Sequence, residues 1–441
     1  MGSSLPLGGP EVGWVALPTG TVGFVCAEPE VAVPFADLLH EGAPTEPTVL
    51  DVVVERVASG DLALHIDGEP LLVSGRVADV VDGIVGVLNR AVLDHGPDSL
   101  HLHGAVVDLD GVGHLLAGPS GSGKTTLAAA LLELGARYLT DEICTVDPTA
   151  ISIPAYPKPL TLKPGWSPTA DPVERSDAGR GALAASRLAP VTASTVVGGI
   201  WWVTYRPGGG RSSVTELSRV TACRRLLGDS LDAARLGPEA LDVLAPLVAR
   251  SACWSIEYAE VRDAAGAVAR STATNGCGFE LLHLGDEFGH CWRVATFDDG
   301  AVLLDWPSRA VIELADDELD AIGDLVDGIA GGAERRLDRL AGLGIHQPDP
   351  VDGTTGHRWS FEGYDPIDSD VGDVVAAFSA LATALVPTMG PAAAADRPTT
   401  EFVVPPSAAR DVQRTAARLG FVVAEQRGGS TRLRRDGHPT D

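Results

Sequence analysis

The segment GPSGSGKT, residues 118–125, constrains the fold of this 441-residue chain more than any other stretch. It follows an apolar run that ends at residue 117 and precedes TTLAAALLELGA, which has the composition of a helix. Glycine-rich turns between a strand and a helix aim backbone N–H groups at a phosphate, and the helix N-terminus adds its positive end. The segment therefore predicts an α/β domain with a phosphate-binding loop at the carboxyl edge of its sheet.

Two side chains of this loop have separate predicted tasks. Lys124 reaches the β- and γ-phosphates, and Thr125 offers a hydroxyl to Mg²⁺. The sequence thus predicts ATP and Mg²⁺ as cofactors. The residues predicted to bind the nucleotide are Gly118, Pro119, Ser120, Gly121, Ser122, Gly123, Lys124, Thr125 and Thr126.

Charge and composition exclude several classes of partner. The chain has 60 acidic and 33 basic residues, a formal net charge of −27, so a nucleic-acid or anionic-membrane binder is disfavoured. The first residues have no basic, apolar signal pattern, and no stretch approaches the roughly 18 apolar residues of a membrane helix. Six scattered cysteines without a CxxC pair are typical of reduced thiols. We expect a cytoplasmic protein with neither nucleic acid nor membrane as partner.

The lysines are unusually placed. They occur only at positions 124, 158 and 163, and the other 30 of the 33 basic residues are arginine. Lysine is a compact charge on a flexible stem, which suits contact with a triphosphate. Lys158 and Lys163, in the proline-rich YPKPLTLKPG, are candidates to clamp phosphate or an acidic substrate, although a solvated surface loop explains them equally well. Arg206, after WWVTY, is a further candidate for a charge contact.

Two acids follow the loop helix closely. Asp141 lies 17 residues after Lys124 (141 − 124 = 17), at the end of the next predicted strand, RYLTDE. Adjacent residues on an extended strand point to opposite faces, so Asp141 and Glu142 are predicted to have different roles. One would face the γ-phosphate and an incoming hydroxyl, and the other would serve the metal, as in phosphoryl transfer. The alternative is that they cap the turn that follows.

Residues 99–142 resemble the catalytic core of the HPr kinase/phosphorylase superfamily, which includes stand-alone serine kinases of peptide natural-product clusters. The resemblance rests on the His103-Gly104 pair before the loop strand, the loop-lysine helix that ends in Gly135, and the acidic pair. It implies a kinase core of the HPr kinase/PEP carboxykinase-like type. Asp141 would be the catalytic base, His103 would assist the reacting groups, and Thr125, Glu142 and Asp141 would hold Mg²⁺. His101, two residues before His103 on the same side of the strand, competes for that role.

The chain departs from the pattern of this family at two points. It has Thr125-Thr126 where the family's protein kinases usually have Ser then Glu, and Glu142 where they have a second Asp. We therefore expect an acceptor other than HPr, and the reverse, phosphorolytic reaction is in question.

The pattern of apolar residues predicts three parts. Residues 1–98 form a β-rich N-terminal layer, with antiparallel strands over residues 11–75 and a helix over residues 76–96. Residues 99–272 form the kinase core, and residues 273–441 a separate α+β module that ends in a strand–helix–strand unit. Residues 298–328 faintly resemble the winged-helix domains that recognise peptides by strand addition, although an accessory or dimerisation domain also fits. A zinc site formed by Cys277, His283, His290 and Cys291 is disfavoured, because their spacing matches no closed structural pattern.

Three functions remain open at this level. The leading one is an ATP- and Mg²⁺-dependent kinase of a serine or threonine hydroxyl on a ribosomal peptide precursor or small protein. A small-molecule kinase of the shikimate or nucleoside-monophosphate type is the second, although those enzymes begin near their phosphate loop. The third is a non-catalytic nucleotide-binding regulator. The sequence leaves open whether the chain forms a homo-oligomer.

Overall fold

The structure is a computed structural model of the chain. It describes residues 11–41, 43–44, 46–96, 98–162, 181–231, 233–271, 276–282, 292–305, 310–315, 319, 322, 401–404, 421–427 and 430–435. The chain divides into two compact units, one of Met1–Gly118 with Gly123–Tyr364 and one of Pro119–Ser122 with Asp365–Asp441. Of the helices and strands in the described residues, all except the last three strands belong to the first unit.

The chain begins with a strand-rich region and continues into a longer stretch in which strands and helices are mixed. The N-terminal elements are β1 (Glu11–Leu17), β2 (Gly20–Cys26), α1 (Pro29–Ala32), β3 (Leu39–Glu41), β4 (Leu50–Arg56), β5 (Leu62–Ile66), β6 (Glu69–Ser74) and α2 (Val77–Asp94). The central elements are β7 (Leu100–Leu109), β8 (Val112–Ala117), α3 (Lys124–Glu133), β9 (Arg137–Thr140), β10 (Ile143–Val146), β11 (Ser152–Pro154), β12 (Leu160–Leu162), β13 (Gly181–Leu183), β14 (Ser194–Tyr205), β15 (Ser213–Glu216), α4 (Arg219–Gly228), α5 (Ala233–Leu236), α6 (Ala240–Arg250), β16 (Ala252–Tyr258) and α7 (Val261–Arg270). The remaining strands are β17 (Phe279–Leu282), β18 (Trp292–Phe297), β19 (Gly300–Asp305), β20 (Ala310–Leu314), β21 (Glu401–Val404), β22 (Phe421–Arg427) and β23 (Ser430–Arg435).

The N-terminal layer is a six-stranded sheet in the order β3-β1-β2-β4-β5-β6, with α2 packed against it. The strand-rich prediction for this region is confirmed, and so is the helix predicted over residues 76–96. An entirely antiparallel layer was wrong, because β2 and β4 pair in parallel. The connection between them passes through α1 and the edge strand β3, and this crossover makes the parallel pairing possible.

The central sheet has eight strands and is covered by helices on both faces. Its main order is β10-β7-β8-β14-β16-β15, and β8, β14 and β16 run parallel. Helices α3 and α7 share a core with one face, while α4 and α6 share a core with the other. The chain is therefore a mixed α/β protein, as predicted.

Strand pairing in this sheet brings the predicted phosphate loop and the acid pair to one edge. β7 is antiparallel to β8, and β9 is antiparallel to β7, so β8 and β9 run in the same direction. Their carboxyl ends, where the loop and Asp141 follow, consequently lie at the same edge of the sheet.

The strands β17–β20 form a four-stranded antiparallel sheet beside α4 and α6. Ala295, Phe297, Val302 and Leu304 from this sheet belong to the same buried cluster as the apolar side chains of α4 and α6. The sequence placed a domain boundary between residues 272 and 273, but the division into compact units falls at Tyr364. The reason is this shared core, which ties β17–β20 to the preceding helices.

The second unit contains a three-stranded sheet in the order β21-β23-β22. Of the strand–helix–strand unit predicted at the C-terminus, both strands are present, and residues 405–420 between them lie outside the described residues. Within the described part of the chain, no helix combines the length and apolar character needed to cross a membrane.

Candidate functional site

The backbone of the predicted phosphate loop, residues 118–125, requires glycine at particular positions. Gly118, Gly121 and Gly123 have φ angles of +136°, +81° and +94°, in the region that favours glycine. A Cβ at Gly123 would lie 2.1 Å from Tyr258 Oη, so this position also excludes a side chain by contact. The loop glycines predicted from the sequence are therefore needed by the backbone itself.

The two ends of the loop are held by residues that the sequence does not identify. The Gly118 N–H donates to Asp229 Oδ2 at 3.2 Å, and Tyr258 Oη donates to the Gly123 carbonyl at 2.9 Å. Asp229 follows α4 and Tyr258 ends β16. The main-chain carbonyl of Asp229 also accepts the His103 N–H at 3.2 Å, so this residue connects the loop to β7.

Lys124 begins α3 and is 6% exposed. Its Nζ donates to the carbonyl oxygen of Gly118, across the loop. Thr125, whose hydroxyl was predicted to bind Mg²⁺, follows in the first turn of α3.

The acid pair lies in a gap between two strands. β9 ends at Thr140 and β10 begins at Ile143, and both strands pair with β7. The prediction that Asp141 and Glu142 point to opposite faces was wrong, because neither residue lies in a strand. Both carboxylates contact the same ammonium, with Lys158 Nζ 2.7 Å from Asp141 Oδ1 and 3.1 Å from Glu142 Oε2.

Lys158 is buried, with a side chain that is 1% exposed. Besides the two carboxylates, its Nζ donates to the Pro159 carbonyl at 3.2 Å. An ammonium has three N–H donors, and these three oxygens engage all of them. The predicted clamp on phosphate does not fit these contacts, because oxygens of the acid pair and of Pro159 engage all three donors of Lys158.

Two tyrosines close this buried network. Tyr138 Oη donates to Asp141 Oδ1 at 2.9 Å, and Tyr156 Oη donates to Asn89 Oδ1 at 2.8 Å. Burial opposes the ionisation of Glu142, but Lys158, together with hydrogen bonds from Asn89 and Lys158, holds its pKa below the ordinary value. Glu142 is therefore ionised, and the Lys158 ammonium supplies a compensating charge from within the protein.

His103 lies on β7 and pairs with Ile143 of β10, directly after the acid pair. Its pKa is lowered to about 4, chiefly by burial and also by the charges of Lys124 and Lys158, while Glu142 acts in the opposite direction. All these groups therefore lie within electrostatic range of one imidazole, which is neutral at pH 7. The competing His101 is fully buried, and its ring lies beside Gly96.

The pKa of Asp229 is raised, whereas that of His103 is lowered. Burial raises the pKa of its carboxyl to about 7, while Lys124 and the Gly118 N–H favour the charged form. A carboxyl that titrates near neutrality therefore contacts the first residue of the loop. No sequence pattern around residue 229 identifies it, because its partner is 111 residues away.

The other predicted contacts are placed differently. The Arg206 side chain is 64% exposed, and its guanidinium pairs with Glu257 at 2.7 Å. The backbone N–H of Arg206 donates to the carbonyl of Tyr258. Lys163, His283, His290 and Cys291 lie outside the described residues, and Cys277 is partly buried. Among the residues that the structure does describe, no group of three or more His, Cys, Asp or Glu side chains could hold a metal ion.

Comparison of the chain with protein-family models and with curated proteins found no match. The functional interpretation therefore rests on the residues of the site.

Proposed function

We propose that this chain is an ATP-dependent kinase that transfers the γ-phosphoryl group to a serine or threonine hydroxyl. The observation that carries the proposal is that the loop with Lys124 and the acid Asp141 follow the carboxyl ends of β8 and β9, at one edge of the central sheet. Phosphoryl transfer needs a phosphate cradle and a carboxylate that positions a hydroxyl beside it. The same sheet edge offers both.

The loop has the features of a nucleotide cradle. Its glycines have backbone angles that let N–H groups turn inwards, and Lys124 begins the helix beyond them. The Ser122 hydroxyl is buried and has no hydrogen-bond partner among the described residues, as expected for a group that awaits a phosphate oxygen. These features support binding of the β- and γ-phosphates.

Magnesium fits only part of the predicted ligand set. Thr125 would hold the ion that accompanies ATP, and that ion neutralises charge on the phosphoryl group. Glu142 and Asp141 do not fit as its ligands, because the ammonium of Lys158 occupies the space between their carboxylates.

Asp141 is the residue best placed to receive the acceptor hydroxyl. Tyr138 and Lys158 both bind its Oδ1, so the carboxylate is fixed in orientation. The transition state of phosphoryl transfer is loose, and the carboxylate therefore has to position the hydroxyl more than to act as a strong base. The neutral imidazole of His103 can hydrogen-bond to the reacting groups without repelling Lys124.

The proposed acceptor is a ribosomal peptide precursor or a small protein. The support is the resemblance of residues 99–142 to serine kinases and the open antiparallel sheet β17–β20. Its edge strand β17 exposes Phe279, and an extended peptide could add a strand there.

Intact-mass analysis of candidate acceptors, incubated with ATP and Mg²⁺, tests the proposal. Peptides encoded beside the gene are the first candidates. We expect the gain of one phosphate with the wild type and none with Asp141→Asn. Asp147→Asn is the matched control, because Asp147 only caps an exposed turn through the N–H groups of Thr149 and Ala150.

The same assay separates the alternatives. Transfer to a small metabolite and to no peptide would favour a small-molecule kinase. ATP binding without transfer to any acceptor would favour a non-catalytic regulator and contradict the proposal.

A further inference from the structure

The Lys158 ammonium occupies a cradle of three oxygens. Its Nζ lies 2.7 Å from Asp141 Oδ1, 3.1 Å from Glu142 Oε2 and 3.2 Å from the Pro159 carbonyl oxygen. Two carboxylates and a carbonyl are also the kind of donor set that hard divalent cations prefer. The protein thus supplies its own cation at a place where the resemblance assigned Mg²⁺.

We propose that Lys158 is the resident cation of the Asp141–Glu142 pair and keeps divalent metal ions out of it. Glu142 is then a positioning residue, which holds Lys158 against Asp141, and is not a metal ligand. The proposal goes beyond the kinase function, because it describes the protein without nucleotide or acceptor.

The backbone around Lys158 fixes the ammonium in place. The Lys158 N–H donates to the Tyr156 carbonyl at 2.8 Å, and the Tyr156 N–H donates to the Leu139 carbonyl of β9 at 3.0 Å. The Tyr156 hydroxyl binds Asn89 of α2. The loop is therefore tied to both the central sheet and α2, and the side chain is not a mobile surface lysine.

The choice of lysine supports the same conclusion. In a chain with 30 arginines and three lysines, position 158 is lysine. A planar guanidinium presents its donors in a rigid fork, whereas an ammonium is a compact point charge with three donors. Only the ammonium matches three oxygens that surround a single buried point.

Electrostatics explains why the site excludes a metal. The ammonium already neutralises one of the two carboxylate charges, and a divalent cation close to it would be repelled in a poorly solvated environment. Removal of Lys158 leaves two adjacent carboxylates without their cation, which is the condition that attracts a divalent ion.

Binding of Mn²⁺ to the full-length, nucleotide-free protein tests the proposal, with free Mn²⁺ measured by electron paramagnetic resonance. We expect Lys158→Met to gain one site with at least about tenfold higher affinity than the wild type shows. The double variant Lys158→Met/Glu142→Gln should lose that site. Lys124→Met is the matched control, since it removes the other buried lysine but should create no site.

Two results would overturn the proposal. One is a wild-type Mn²⁺ site that disappears in Glu142→Gln, and the other is a folded Lys158→Met variant that gains no site. If Lys158→Met does not fold, the wild type and Glu142→Gln decide alone: equal Mn²⁺ binding by both supports the proposal. No arm uses ATP or an acceptor, so failure here is distinguishable from failure of the kinase function.

Discussion

Two buried lysines in this protein have different surroundings. Lys124, 6% exposed, donates to the neutral carbonyl of Gly118, whereas Lys158, 1% exposed, is paired with two carboxylates. Lys158 is held by two carboxylates, while Lys124 donates to a backbone carbonyl and lies within electrostatic range of the titratable Asp229.

This difference in partners indicates which lysine is available to a ligand. A buried ion pair is costly to break, because removal of one partner leaves an uncompensated charge. A lysine bonded to a carbonyl can exchange that contact for a phosphate oxygen. We infer that Lys124 serves binding and transfer, and that Lys158 serves the arrangement of the acids.

The largest expected effect on stability belongs to Lys158→Met. The buried carboxylate of Asp141 and the partly exposed one of Glu142 would lose their shared cation, which costs about 3 kcal/mol of the free energy of unfolding. Urea unfolding of the full-length protein measures it. Arg206→Met is the control, because its pair with Glu257 is exposed and should contribute little. A Lys158→Met variant as stable as the control would remove the distinction between the two lysines.

Lys124→Met should reduce phosphoryl transfer strongly and stability little, the reverse of the emphasis expected for Lys158→Met. Loss of the charge between the β- and γ-phosphates should lower the rate of phosphoryl transfer by about 10²-fold or more. The cost in stability should be smaller than for Lys158→Met, because Lys124 donates to a backbone carbonyl whereas Lys158 is held by two carboxylates. Single-turnover transfer and urea unfolding on the same samples measure both quantities. Near wild-type transfer would show that the loop does not act on a nucleotide.

Gly123→Ala should lower the free energy of unfolding by about 1–2 kcal/mol from its backbone angle alone. Gly121→Ala isolates that cost, because its φ is also positive and nothing among the described residues lies within 4 Å of its added Cβ. Gly123→Ala should lower the free energy of unfolding by more than Gly121→Ala does, because Tyr258 Oη must move away from the added Cβ. In a double-mutant cycle, Tyr258→Phe should reduce this additional loss of stability. If the effects of Gly123→Ala and Tyr258→Phe simply add, the two residues do not interact.

The ionisation of Asp229 should produce a smaller, pH-dependent effect. Its pKa is raised to about 7, so the native state binds more protons than the unfolded state between about pH 4 and 7. The stability contributed by this group therefore falls as pH rises through that window. The facing groups are Lys124 and Cys144, and burial keeps the Cys144 thiol protonated.

ATP affinity should follow the same titration. The ionised Asp229 repels phosphate, so affinity should be several-fold weaker at pH 8 than at pH 6. Isothermal titration of Asp229→Asn, which keeps the acceptor for the Gly118 N–H, should show a smaller pH dependence. An equal pH dependence in the two proteins would exclude Asp229 as its source.

The sequence predicted the parts of the site that depend on local pattern. The loop, its glycines and the helix from Lys124 follow from spacing, and so does the place of Asp141 at the end of a strand. The orientation of the two acids could not be predicted in this way. Asp141 and Glu142 lie between β9 and β10, so the alternation of side chains along a strand does not apply to them. The partners of Lys158 were also hidden, since YPKPL has no regular pattern.

Long-range contacts were the other limit of the sequence. Tyr258 is 135 residues from Gly123, and Asp229 is 111 residues from Gly118. Neither pairing leaves a local signature, because both depend on how the helices and strands of the central sheet are arranged. The position of β17–β20 was hidden for the same reason, as their core with α4 and α6 forms only in three dimensions.

The central claim is that the loop binds the nucleotide and Asp141 receives the acceptor. The most direct measurement is a comparison of ATP affinity and phosphoryl transfer in Asp141→Asn and the wild type, by isothermal titration and intact mass on the same preparations. We expect affinity within about threefold and loss of transfer by about 10²-fold or more, because the amide keeps the shape but cannot accept the proton. Transfer at the wild-type rate, or loss of ATP binding in Asp141→Asn, would contradict the claim.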